Sequence, residues 1–206
     1  MFKMAKVVVN EISQIHMNTI ETGAYDRRTV WLHWLMAFLV IGLWVAGQCI
    51  NFMPRGTPKI MFRSAHIAVG VVLALFWMYR IYWRAFRGVK LPSVNSGWIG
   101  RLSHGYHHGL YALIGLLVLS GLAAVWIRGD NLFELFIVPA FDPGNKELRR
   151  NAVQLHEWLA NGLLAAAGLH MLAACWHHWK LKDGLMSRMW PTRLSKRALS
   201  PSFHDQ

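Results

Sequence analysis

Four long apolar runs, separated by polar stretches, set the pattern of this chain. The first covers residues 30–50 and carries no charge. The second covers about 64–82, with Arg80 its only charge. The third covers about 109–127, and the fourth about 155–178, uncharged after Glu157. About 30 Å of hydrocarbon takes roughly 20 helical residues, so each run is long enough to cross a bilayer. A backbone in lipid must satisfy its own hydrogen bonds, and runs of this length do so as helices rather than barrel strands. The pattern predicts an all-α integral membrane protein, a four-helix bundle running up-down-up-down. It divides the chain into an N-terminal extension (1–26), a transmembrane domain (27–180) and a basic tail (181–206). The extension holds only a three-valine run, too short for the core of a signal peptide.

Composition agrees with the pattern. Charged residues make up 16% of the chain, against about 25% in soluble domains. The net charge of +12 would suit a nucleic-acid binder if the bases formed a stripe on a polar domain. Here they fall between apolar runs, so they report topology and no nucleic-acid partner is expected. With Arg80 at the end of span two included, fifteen of the 22 Lys and Arg lie in the N-terminal segment, the loop between spans two and three, and the tail; seven lie in the other two loops. The positive-inside rule then places both termini in the cytoplasm. Cys49 and Cys175 fall towards opposite membrane faces and are expected as free thiols. Cys-x-x-Cys-His is absent, which excludes covalent haem attachment.

An ionisable side chain inside a span is costly and marks function. His33, His66, His156 and His170 lie within or at the ends of spans one, two and four. Span four carries two of them, His156 and His170. Their separation is about 21 Å of helix and within about 40° of a whole number of turns, so both imidazoles share one face. Alternating span directions sort the four by depth into His66 with His156, at the outer level, and His33 with His170, at the inner. Two imidazoles facing across a bundle suit one doubly ligated haem iron. One helical turn after each stand Ala37, Gly70, Ala160 and Ala174, small enough to admit a porphyrin plane. Zinc is a poorer match, because its sites gather four ligands together. Ala160 occupies the position where a His-Glu-x-x-His motif needs its second histidine.

The stretches "VWLHWLMAFLV", "SAHIAVGVVL", "HGYHHGLYAL" and "LHEWLANGLLAAAGLHMLAACWHHW" resemble the bacterial cytochrome b561 family over about residues 25–190. The resemblance implies a multi-pass inner-membrane cytochrome with two non-covalent b-type haems. It implies His33, His66, His156 and His170 as the axial ligands of iron. Family members described as superoxide oxidases pass electrons from periplasmic superoxide to ubiquinone; related four-helix cytochromes serve as membrane subunits for other redox proteins.

Two bis-histidine haems leave no open iron position, so function is set by donor and acceptor at the two ends. Arg55, Lys59 and Arg63 precede His66 and form a patch that can steer a small anion such as superoxide. Lipid headgroups or haem propionates are the other partners such bases suit, as they are for Arg149 and Arg150. At the inner end His177, His178 and Arg80 are candidates for a ubiquinone site, with His177 first because it follows His170 by about two turns on nearly the same face. A histidine titrates near pH 6.5 and can supply a proton to a quinone. His104, His107 and His108 are further interfacial candidates. A docked periplasmic redox protein as donor, or a haem-free transporter with polar histidines, are the competing readings.

Overall fold

The computed structural model describes residues 24–91 and 97–190. The N-terminal extension up to residue 23 and the basic tail from residue 191 lie outside the described residues. Four helices account for most of the rest: α1 (Arg27–Ile50), α2 (Thr57–Phe86), α3 (Gly97–Arg128) and α4 (Lys146–Trp176). All four are long and apolar enough to cross a membrane. Each overruns its apolar run, most at α3, which starts at Gly97 rather than near residue 109. Polar residues continue a helix beyond the hydrocarbon at little cost, whereas hydropathy sees only the lipid-crossing part.

Local chemistry fixes the ends. The Asp26 carboxylate caps α1, accepting from Thr29 N at 3.0 Å and Thr29 Oγ1 at 2.6 Å. It also accepts from Trp83 Nε1 at 3.0 Å, which ties the start of α1 to the end of α2. Asn145 caps α4 by accepting from Leu148 N at 2.9 Å. An N-cap side chain of this kind stabilises by about 1 kcal/mol. Pro58 opens α2, where a missing N–H costs nothing.

Helices adjacent in sequence pack against each other, and α4 closes the ring onto α1. Side-chain bonds reinforce the seams. Trp77 Nε1 donates to Tyr111 O (3.1 Å) between α2 and α3, and Tyr106 Oη donates to Ala166 O (2.5 Å) between α3 and α4. Trp44 Nε1 donates to Asn161 Oδ1 (2.9 Å) between α1 and α4. Gly115 lets Trp77 approach, since a Cβ there would stand 2.9 Å from the indole. The interior is thin: Val30, Leu32, Met36, Leu73, Ala124 and Leu163 are buried apolar residues of the bundle, while Phe38, Leu75, Leu119 and Leu172 face outward. An outward apolar belt is what lipid as solvent demands.

Two features escape the hydropathy pattern. The loop before α4 holds a small antiparallel hairpin, β1 (Asn131–Leu132) with β2 (Phe136–Ile137). Its tight turn puts Phe133 and Glu134 at φ 55° and 60°. Beyond α4 a π-helical turn (His177–Leu181) is followed by a left-handed Lys182. The chain then returns beneath α1, where Tyr25 N donates to Arg188 O (3.1 Å) and Trp34 Nε1 to Met189 O (2.9 Å). Both cysteines are free thiols.

Candidate functional site

Each helix places a residue at two levels of the bundle, and the same spacing, about four turns, separates the levels in all four. The pairs are His33 and Gly47 on α1, His66 and Arg80 on α2, His107 and Gly121 on α3, and His156 and His170 on α4. Antiparallel neighbours then bring His33, Arg80, His107 and His170 to one level and Gly47, His66, Gly121 and His156 to the other.

At the first level the His33 and His170 rings stand 6.2 Å apart, centre to centre, at 75°. His107 packs edge-on against His170 at 5.2 Å, and Tyr106 lies nearly parallel to it at 6.3 Å. Arg80 is buried, so it does not snorkel to the interface as its place near the end of an apolar run suggests. It repeats the position of His66 about four turns further along α2, and so shares the inward face of that histidine. Nε donates to Tyr111 Oη (2.9 Å), Nη1 to Thr29 O (3.4 Å), and Nη2 lies 3.4 Å from His33 Nδ1.

At the second level the His66 and His156 rings are 6.4 Å apart at 87°. His156 Nδ1 lies 3.2 Å from Leu117 O and 3.1 Å from Ser120 Oγ. Donating from Nδ1 to the carbonyl leaves the Nε2 lone pair free for a metal. Gly121 makes room for one ring, since a Cβ there would meet His156 Cε1 at 3.0 Å; one at Gly47 would stand in ordinary contact with His66 Cε1, at 3.6 Å.

This donor set fits a bis-imidazole metal. With metal–nitrogen bonds of about 2 Å, and roughly 1.2 Å more to each ring centre, two axial imidazoles stand about 6.4 Å apart. Both pairs have close to that separation. The buried Nδ1 of His66 has no hydrogen-bond partner among the described residues, consistent with a ring oriented by something other than a protein hydrogen bond. Among the described residues no group of three or more His, Cys, Asp or Glu is placed to hold an ion.

Beyond the His66 level sits a charge cluster. The carboxylate of Asp130 is fully buried; Arg128 Nε donates to it at 2.8 and 2.9 Å and Nη2 at 2.5 Å. Arg63 Nε lies 2.9 Å from the same carboxylate, off the direction of a hydrogen bond. Ser64 Oγ donates to Ile60 O (2.8 Å) and reaches Asn131 O (3.3 Å), and it accepts from Phe133 N (2.9 Å), pinning the hairpin to α2. Arg63 thus shares its charge with Asp130, while Arg55 is exposed and Lys59 half-buried. Arg149 Nη2 donates to Pro143 O (2.9 Å), and Arg150 is exposed.

At the far end His177 donates from Nδ1 to Asp183, and His178 is exposed. Slight burial raises the Asp183 carboxyl, but the hydrogen bonds from His177 and the Leu185 N–H outweigh it and hold it below the usual carboxylate range. His104 and His108 stack at 6.1 Å on the exposed start of α3.

Sequence reasoning passed over Asp130, Arg128, Gly121, Ser120, Tyr111 and Asp183. The His156-to-His170 spacing, applied to every helix rather than to α4 alone, finds Arg80's inward face and Gly121. Arg128 and Asp130, on either side of Gly129, are an ion pair readable from the chain.

Comparison with known proteins gives a consistent set. The family model described as Prokaryotic cytochrome b561 matches residues 24–192. A protein of Yersinia pestis named Probable superoxide oxidase CybB is 31% identical over 172 residues, 82% of this chain and 97% of its own. Cytochrome b561 homolog 1 of Escherichia coli K12 is 25% identical over 82% of this chain and 98% of its own. Cytochrome b562 of Cereibacter sphaeroides is 27% identical over 83% of this chain and 97% of its own.

Proposed function

The chain belongs to the prokaryotic cytochrome b561 family, a family of membrane electron-transfer cytochromes, and on that premise we propose a di-haem carrier from outer-face superoxide to ubiquinone. One observation carries the reading: two facing histidine pairs, 6.2 and 6.4 Å apart, at two levels of one membrane bundle. His66 and His156 would hold iron at one level and His33 and His170 at the other. When bound, haem b supplies at each pair a one-electron carrier with no open position for a substrate. The excess of Lys and Arg on the terminal side supports His33 and His170 at the cytoplasmic end of a bacterial inner-membrane protein.

The side chains divide the remaining work. Arg55 and Lys59 draw a small anion towards the His66 level, with Arg63 and Arg128 adding the charge that Asp130 leaves uncancelled. Two superoxide ions each lose one electron and leave as dioxygen. One ubiquinone takes both electrons and two protons at the other end. There the Asp183 carboxylate orients His177 through Nδ1, leaving Nε2 to pass a proton. The relative named for superoxide oxidase activity supports this donor.

A second reading of the same redox class, a conduit for a periplasmic redox protein, is favoured by the hairpin. Leu135, Phe136 and Ile137 are 89%, 60% and 66% exposed there. Mixing oxidised protein with superoxide separates the two. Direct haem reduction is expected to slow as salt rises, and Arg55→Gln with Lys59→Gln should lower the low-salt rate constant by roughly tenfold. Slow, salt-independent reduction would transfer the role of donor to a protein.

Ligand orientation gives another check. Gly121→Ala puts a methyl against His156 and should loosen the haem held there by roughly tenfold, the scale of outer-shell changes at metal sites. Haem transfer to apomyoglobin measures it. Gly42→Ala, where a Cβ meets nothing within 4 Å, is the control expected to leave haem transfer unchanged.

A further inference from the structure

The groups behind the proposed ligands differ at the two levels. His156 presents Nδ1 to Leu117 O and Ser120 Oγ. Donation to a carbonyl makes an imidazole a more basic ligand and favours the oxidised metal. Among the described residues His33 has no such acceptor: the group at its Nδ1 is the Arg80 guanidinium, at 3.4 Å. Arginine stays charged in proteins, and in a dry interior its field is little screened. A fixed positive charge beside a ligand favours the reduced, less positive metal.

Nothing among the described residues cancels that charge. No carboxylate pairs with Arg80, whose partners are Tyr111 Oη, Thr29 O and the Tyr111 ring at 5.8 Å. Asp26, one turn before Thr29, is committed to Thr29, Trp83 and Val89 N. At the other level Asp130 offsets one of the two charges of Arg63 and Arg128.

Resting on the ligand reading above, we infer that Arg80, acting through His33, raises the reduction potential of the haem held by His33 and His170 above that of the haem held by His66 and His156. The downhill direction of the electron is then built into the side chains behind the ligands. It points from the His66 level to the His33 level, the direction that superoxide oxidation requires. The requirement is the same for any donor at the His66 end.

A redox titration of the haem-loaded protein, followed at the visible haem bands, tests this without turnover. Wild type should show two one-electron waves. Arg80→Gln should lower the reduction equilibrium constant of the upper wave at least tenfold, about 59 mV for one electron, and leave the lower wave in place. Arg80→Lys, which keeps the charge, should retain most of the separation. His156→Ala should leave the upper wave alone and His33→Ala the lower.

If both histidine variants keep two haems, the ligand reading fails, whatever Arg80 does. If each loses one haem but Arg80→Gln moves neither wave, or moves the upper one positive as a deprotonated His33 would require, the inference about Arg80 is overturned. Should Arg80→Gln not load haem, Arg80→Met removes the charge while keeping the length of the side chain. The same negative shift of the upper wave is then expected, and no shift overturns the inference.

Discussion

Protein carrying His156→Ala is expected to purify with one haem per chain in place of two, and its remaining haem should be the one held by His33 and His170. The expectation follows from the separation of levels. His156 and His170 stand about 21 Å apart along α4. Removing one imidazole therefore strips one site of a ligand without touching the other pair. At the emptied position the loss extends to the Nδ1 contacts with Leu117 O and Ser120 Oγ, neither of which brings another imidazole to the site. The level of His170 is different, because His107 packs 5.2 Å from it. His170→Ala leaves an imidazole beside the site and is the less decisive variant. Haem per chain, counted as pyridine haemochrome against protein mass, reads the result directly. Two haems retained in His156→Ala would refute the pairing.

The second large effect concerns stability. Asp130 is buried between two arginines that keep partial access to solvent, at 21% and 29% side-chain exposure. Asp130→Asn leaves two guanidiniums facing an amide with no countercharge. Breaking a buried ion pair from one side costs about 3–5 kcal/mol, and the exposure of the arginines places this one at about 3 kcal/mol. For a domain of this size that lowers the unfolding midpoint by roughly 6–12 °C. The damage should spread to the hairpin, because Val138 N donates to Asp130 O (2.9 Å) and Ser64 binds the adjacent Asn131 and Phe133. Faster proteolysis between residues 131 and 145 is the local sign. Adding Arg63→Gln should recover part of the loss, as expected of side chains that share a partner. A midpoint unchanged in Asp130→Asn would show that the cluster contributes nothing net.

Hydropathy is sufficient to locate the four helices, because a span must be apolar without interruption. It is silent where the helix leaves lipid. The turns of α3 before residue 109 carry Arg101, His104, His107 and His108, and only a backbone criterion reveals them as helix. The α4 start was readable in principle, since Asn145 followed by Lys146 and Glu147 is a capping sequence. The hairpin was not. Its strands are very short and are held by Ser64, which reaches them from a different helix far back in the chain.

The same division holds within the site. Four histidines stand out in sequence because an ionisable group in an apolar run needs a reason. The groups behind them do not, because glycine, serine and a backbone carbonyl carry no signal of their own. Arg80 illustrates the difference. Near the end of an apolar run it reads as a snorkelling base; its spacing from His66 gives the inward face, but its partners Tyr111 and His33 come only with the fold. Arg63 reads as a free surface charge until the fold brings Asp130, from beyond the end of α3, beside it.

Whether the bundle carries a haem at each histidine pair is read from a dithionite-reduced minus oxidised visible spectrum of the purified protein, with haem counted per chain as pyridine haemochrome. Two b-type haems per chain are expected, one for each pair. A preparation that stays colourless after haem is supplied during expression would contradict the di-haem reading and leave the two pairs as polar packing within the bundle.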